Sequence, residues 1–431
     1  MKIPLKAIEK WFTFAALQLF TGALIPLVMQ KQKIAIDQSQ GDLITQMFLY
    51  VVYLVTFILV IARWKSIIRS VTREKLLWLL VGIAFVSVSW SVTPDVTLRR
   101  GFALIGTTLF GVYFATRYDL SEQLHLLAWT LGTGALLSLL ITLILPSYGT
   151  MGGHYAGAWQ GIYSHKNILG RLMVLSGLVF LLLSISSRRH IWHKWAAFGI
   201  SVSLLLLADS KAPLVIFLTL LILLPFYRTL QRNYTVGTIF LIVLVTAGGG
   251  LLTLVVSNIE TILGALGRDI TLTGRTDLWA AVLDKIGDRP LFGYGYKAFW
   301  LGQDGAALYV WNATGWDPNH AHNGFLELAL DLGWIGLSVF GLSFLRAYLR
   351  GLVWLLSAKP EVGLWPLLYM TFMFLANLSE SMILRQNNIF WVLYVAAIYS
   401  MLVQNSRVVK LEAFGKLSTT KNVSRVCPNL P

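Results

Sequence analysis

The chain has 431 residues, of which 56% are hydrophobic and only 13% charged, with a formal net charge of +15 and a mean hydropathy of +0.68. Such values exclude a soluble globular domain of this size and make lipid the expected solvent. The basic excess calls for no nucleic-acid partner, because the cytoplasmic loops of membrane proteins collect lysine and arginine and attract anionic lipid headgroups.

Apolar segments recur at 12–29, 43–62, 75–90, 101–116, 124–145, 167–186, 191–209, 211–227, 235–256, 324–345, 362–378 and 388–403. Each approaches the ~20 residues that cross a ~30 Å hydrocarbon core as helix, and lipid offers backbone groups no partner outside the helix. The expected fold is an all-α integral membrane protein of about twelve transmembrane helices. Residues 1–256 would carry spans one to nine, 257–323 a large structured extracytoplasmic loop, 324–403 spans ten to twelve, and 404–431 a polar, basic cytoplasmic tail. The short third and fourth spans and the close pair around Asp209-Ser210-Lys211 define the topology least sharply. The N-terminal apolar run lacks a small-residue cleavage site and reads as the first helix. The single cysteine, Cys427, provides neither a disulfide framework nor a thiolate metal site.

With the N-terminus inside, about 22 of the 35 lysines and arginines fall on the cytoplasmic side, as the positive-inside rule requires. The exceptions are informative: Lys31, Lys33, Arg99, Arg100, Lys166, Lys211, Arg268, Arg275, Lys285, Arg289, Lys297 and Arg385 are expected outside, and Arg171 within a span. An arginine in a span is costly unless paired or functional.

Two external stretches, 146–166 and 257–323, exceed simple connections, and loops of that length commonly carry function. In the second, Thr273 to Asp277 supplies helix-start residues, and Leu278, Trp279, Val282, Leu283 and Ile286 repeat at helical spacing until Gly287-Asp288-Arg289-Pro290 ends the pattern. A short amphipathic helix and a glycine-tyrosine turn, Gly293-Tyr294-Gly295-Tyr296, are expected to cover the bundle as a lid.

The residues with chemical potential follow in order: Gly274-Arg275, Trp279, Pro290-Leu291-Phe292-Gly293-Tyr294-Gly295, then His320-Ala321-His322-Asn323-Gly324 leading into Glu327. This order over about 65 residues resembles the O-antigen ligase-like superfamily, which includes O-antigen and exopolysaccharide polymerases. The stretch Gly161 to Arg171, with His165, Lys166 and Asn167, is similar to a motif of the exopolysaccharide-polymerase branch. Asp209-Ser210-Lys211 stands where the family has Ser-Arg, so a bidentate phosphate contact is lost there.

The resemblance implies a GT-C-like, metal-independent and inverting glycosyltransferase without cofactor. It would act on a polyprenyl-diphosphate-linked glycan at the outer face of the bacterial inner membrane, with a glycan or lipid-glycan acceptor and room for a chain-length regulator. A diphosphate leaving group develops negative charge that only cations and N–H donors can then stabilise. Arg275 is the expected catalytic clamp, with Lys211, Arg171, Lys166, His165, Arg100 and Arg99 as donor-site residues. His322 is the expected base or acceptor-orienting group, supported by Asn323, His320, Glu327, Trp279 and Asn167.

Taken alone, Arg275 reads as a solvated helix arginine, Lys211 as a snorkelling lysine and His322 as an interfacial cap. His320 and His322 make a poor metal pair, with one residue between them and no further ligand cluster in the sequence. Polymerase is the first expectation and ligase the alternative. Glu327 and Asp331, one helical turn apart, keep open a lipid-linked oligosaccharide transporter.

Overall fold

The computed structural model describes residues 5–23, 43–187, 189–233, 235–239, 275–301, 305–357 and 363–403. Among them the regular structure is helical, and the one β-pairing is an isolated bridge between Thr150 and Trp159. The helices are α1 (Leu5–Thr21), α2 (Leu43–Ala62), α3 (Trp64–Val71), α4 (Lys75–Val86), α5 (Pro94–Arg117), α6 (Leu120–Ile144) and α7 (Lys166–Ser186). There follow α8 (Ile191–Leu207), α9 (Lys211–Arg232), α10 (Arg275–Asp288), α11 (Ala306–Thr314), α12 (Gly324–Ser357), α13 (Leu364–Asn377) and α14 (Ile389–Val403).

Among the described residues, five helices can cross a membrane by length and composition, at Ile44–Ala62, Leu120–Ile144, Lys166–Ser186, Lys211–Arg232 and Gly324–Leu356, and four shorter ones are apolar. The chain is an all-α membrane protein. The ninth expected span, 235–256, lies beyond its first turn outside the described residues, as do 257–274 and the tail from 404. The helix expected at 101–116 begins earlier, at Pro94, because proline suits a first helical position. Arg99 and Arg100 are therefore helical residues rather than loop cations. The start of α6 is fixed by a capping box, in which Asp119 accepts from the Glu122 amide at 2.8 Å and Glu122 accepts from the Asp119 amide at 3.3 Å.

Burial orders the bundle. The α7 span is 89% buried, whereas α2 is only 17% buried and turns an apolar surface outward. A helix hydrophobic all round belongs at the centre, so the residues at the start of α7 are carried into the interior of the protein.

The tenth expected span becomes a longer helix that breaks at Gly333, with φ 64° and ψ −167°. In an unbroken helix the amides of Trp334 and Ile335 would bond the carbonyls of Leu330 and Asp331. Instead Trp334 and Ile335 donate to the carbonyls of Pro290 and Leu291 at 2.7 and 3.3 Å, while Tyr294 and Gly295 donate to those of Leu330 and Asp331 at 2.8 and 3.0 Å. The Pro290–Gly295 turn is thus spliced into the helix, satisfying four backbone groups that apolar surroundings would leave stranded. On its other side the turn is gripped by the α4–α5 connection, through Trp90 to the Phe292 carbonyl at 3.0 Å and the Val92 amide to the Tyr294 carbonyl at 3.0 Å.

Candidate active site where the starts of α7 and α12 meet

His320-Ala321-His322 forms the turn that enters α12. Ala321 is fully buried and held at both backbone groups. Its carbonyl accepts from the Trp279 indole of α10 at 3.0 Å, and its amide donates to the Glu327 carboxylate at 2.8 Å. Asn323 caps α12, accepting from the amides of Phe325 and Leu326 at 3.0 and 3.3 Å. His322 has φ 49°, a left-handed conformation that a non-glycine residue adopts only when its surroundings impose it. The sequence-expected supporters Trp279, Asn323 and Glu327 therefore act on the backbone of the turn that presents His322.

His320 accepts the His322 amide at Nδ1, 3.1 Å away, so the proton of the neutral ring sits on Nε2. Burial, then the neighbouring His322, pushes the His320 pKa down to about 3. Burial also lowers the pKa of His322; Glu380 opposes the shift, and Arg275 and Arg171 reinforce it. Nδ1 of His322 is buried without a hydrogen-bond partner among the described residues. The result is an imidazole biased toward its neutral form, with a spare ring nitrogen, among two arginines and two glutamates.

Arg171, one turn into α7, forms a buried ion pair with Glu380 at 2.7 Å, from the connection between α13 and α14. Its Nε has no hydrogen-bond partner among the described residues. Asn167 donates to the other Glu380 oxygen at 3.2 Å and accepts from Ser210 at 2.8 Å, which ties α7 to the tight Asp209–Lys211 turn. Burial disfavours the Glu380 carboxylate, but Arg171 outweighs that and holds its pKa well below the ordinary range. His165 caps α7, its Nδ1 accepting the Asn167 amide at 3.1 Å; burial lowers its pKa. Lys166 donates to the Asp209 carbonyl at 2.9 Å and lies over the Tyr155 ring.

A third group gathers around Lys297. Lys297 bridges Glu327 at 2.9 Å and Asp331 at 3.1 Å, Trp300 donates to Glu327 at 3.0 Å, and Arg100 donates to the Lys297 carbonyl at 2.7 Å. Arg100 thereby joins the site through a backbone group. By contrast Arg99 and Lys211 are exposed.

The structure thus brings Arg275, Arg171 and His320 within electrostatic reach of His322. It adds two residues that the motif reading left out, Glu380 and Arg385. Arg385 lies among protein groups that include Arg171, Glu380 and Glu327, yet its surface stays accessible, as for a side chain lining an internal cleft. Its external placement in the sequence was the one available signal, and Glu380 gave none.

The ligand atoms of His320, His322 and Glu380 lie within 4.8 Å of one another, so these three could hold a metal ion. Two of the three are already engaged, however. The Glu380 oxygens serve Arg171 and Asn167, and Nδ1 of His320 serves the His322 amide.

Residues 196–341, from α8 into α12, match the family model described as O-antigen ligase. The chain is also 24% identical over 317 residues, 70% of its length and 71% of the relative's, to the exopolysaccharide production protein ExoQ of Rhizobium meliloti (strain 1021). The matched segment contains Arg275, Trp279, the spliced Pro290–Gly295 turn and His322, and over it the chain is similar to the O-antigen ligase and polymerase superfamily of membrane proteins.

Proposed function

We propose that this protein is a glycosyltransferase of the bacterial inner membrane that polymerises polyprenyl-diphosphate-linked glycan units for exopolysaccharide or O-antigen synthesis. The observation that carries the reading is His322, a neutral imidazole with a free ring nitrogen, set between Arg275 and Arg171.

In this scheme the acceptor hydroxyl gives its proton to His322 as its oxygen attacks the anomeric carbon. The bond from that carbon to the diphosphate oxygen breaks with inversion. The diphosphate leaves with negative charge stabilised by Arg171 and Arg275, whose planar guanidinium groups suit phosphate oxygens. Arg385 and Arg100 add positive potential. Glu380 restrains Arg171, so the free Nε rather than the whole guanidinium faces the donor.

The reaction is metal-independent in this reading. A divalent ion at His320, His322 and Glu380 would displace Arg171 from its carboxylate and sit among Arg171, Arg275 and Arg385, an unfavourable charge arrangement. The resemblance to an exopolysaccharide production protein favours polymerase, and the O-antigen ligase description of the matched family supports a ligase as second reading.

The test is glycan transfer from a purified polyprenyl-diphosphate donor by detergent-solubilised protein, in EDTA and with added zinc. Product length is read on gels. Elongated products in EDTA, lost in His322→Ala and Arg275→Ala, are expected. Single addition to a different acceptor moves the assignment to ligase, and a requirement for zinc overturns the metal-free scheme. Absence of transfer, with both variants still complementing in cells, would leave a transporter.

A further inference from the structure

At the opposite end of the bundle, α1, α2 and α5 converge on a second charged site that the transfer reaction does not use. Arg100 and Arg117 lie on the same helix, and a rise of ~1.5 Å per residue puts them roughly 25 Å apart. Arg100 belongs to the candidate active site, so Arg117 marks the far side.

There Glu9, on α1, is almost fully buried and binds two guanidinium groups, Arg63 at 2.5 Å and Arg117 at 2.6 Å. These three line a cavity of about 430 Å³ together with Lys6 and Thr116. The Thr116 hydroxyl is committed to the carbonyls of Val112 and Tyr113. Three cations therefore face one carboxylate. Among the described residues Nη1 of Arg63 is buried without a hydrogen-bond partner, and Lys6 is exposed and forms no ion pair.

Positive-inside topology alone accounts for cations near a membrane surface, and such side chains reach outward to water. It does not account for a carboxylate buried on α1 that holds two arginines from other helices inward around a cavity. Burying that arrangement carries a desolvation cost that a bound anion offsets, since it can accept from the unpaired Arg63 donor and Lys6. Exposed apolar side chains, Ile8 on α1, Ile61 on α2 and Trp64 on α3, stand near in sequence to the cations, as a lipid with its head at this cavity and its chains along the bundle would need.

We propose that Lys6, Arg63 and Arg117 form a phosphate-binding site at the end of the bundle opposite His322, occupied by the headgroup of an anionic phospholipid of the adjacent leaflet. Basic pockets between transmembrane helices recognise such headgroups. The site stands independently of the proposed transfer reaction, and its ligand chemistry, a phosphate ester, is shared with free phosphate.

Native mass spectrometry of the delipidated full chain tests it, with phosphatidylglycerol, phosphatidylcholine of the same acyl chains and inorganic phosphate as probes. Phosphatidylglycerol should be retained over phosphatidylcholine, and Lys6→Gln, which leaves the Glu9 pairs intact, should cut retention about fivefold. The Arg63→Gln change should cut it further, with a melting curve confirming that the variant is folded. Displacement of the lipid by millimolar phosphate, with phosphate itself retained, supports the same site with a soluble anion as occupant. Equal retention of the two lipids, or retention of phosphatidylglycerol unaffected by Lys6→Gln and by a folded Arg63→Gln protein, overturns the proposal.

Discussion

His322 gains its chemistry from what surrounds it rather than from what it is. Burial disfavours the imidazolium, the arginines disfavour it further, and Glu380 only partly compensates, so the ring stays unprotonated below the ordinary histidine pKa of ~6.5. A general base must be neutral to accept a proton. The acid limb of kcat/KM for glycan transfer should therefore lie below ~6.5, and replacing His322 by alanine should lower the rate about 10²- to 10⁴-fold. Glu380 supplies a second test. Its removal takes away the larger of the two acidic influences, Glu380 and Glu327, that raise the His322 pKa, so in Glu380→Gln the acid limb moves to lower pH, a shift that a purely structural residue would not produce. Because the Arg171–Glu380 pair is buried on both sides, Glu380→Ala should also destabilise the fold by about 3–5 kcal/mol through the uncompensated arginine, read from chemical or thermal unfolding in detergent.

Among the elements, the splice between the Pro290–Gly295 turn and α12 fixes how the turn sits on that helix. Gly333 occupies a backbone region nearly closed to other residues, and a Cβ there would meet the Leu291 carbonyl carbon and oxygen at 2.2 Å. Gly293 is equally constrained, with φ 65° and a Cβ position 2.4 Å from the Leu330 carbonyl oxygen. Replacing Gly333 by alanine should therefore force the turn off the helix, at a cost of about 2 kcal/mol or more. Hydrogen exchange of the Tyr294 and Gly295 amides should rise, and transfer activity should fall although His322 and Arg275 are untouched. Unchanged exchange at those two amides would show that the splice is not what holds the turn on α12.

Across the molecule, the candidate active-site charges gather where α5, α7 and α12 begin, while Glu9, Arg63, Arg117 and the Glu74–Arg350 pair at 2.7 Å occupy the other end. With the first end outside and the second in the cytoplasm, a membrane-impermeant maleimide applied to intact cells should label Asp317→Cys and spare Arg69→Cys in a Cys427→Ser background. Both substituted positions are exposed in the fold. The reverse pattern would invert the orientation and place the proposed chemistry on the wrong side for an external acceptor.

The sequence by itself determined the solvent, the helical class and the residues worth watching, because membrane insertion depends on local apolar length and charge, which can be read along the chain. The motifs around Arg275, Pro290–Gly295 and His322 were legible for the same reason, being contiguous. Only the tertiary structure decided what those residues meet. Glu380 is 209 residues from Arg171, and no spacing rule links them; their pairing follows from packing the connection after α13 against the buried start of α7. The glycines of the turn and Gly333 looked like separate features in sequence, yet they serve one exchange of backbone hydrogen bonds. Likewise Lys211 and Lys166 looked equivalent as external cations. Packing leaves the first exposed and commits the second to Asp209, because a side chain's partners are set by which helices touch and not by its place in the chain.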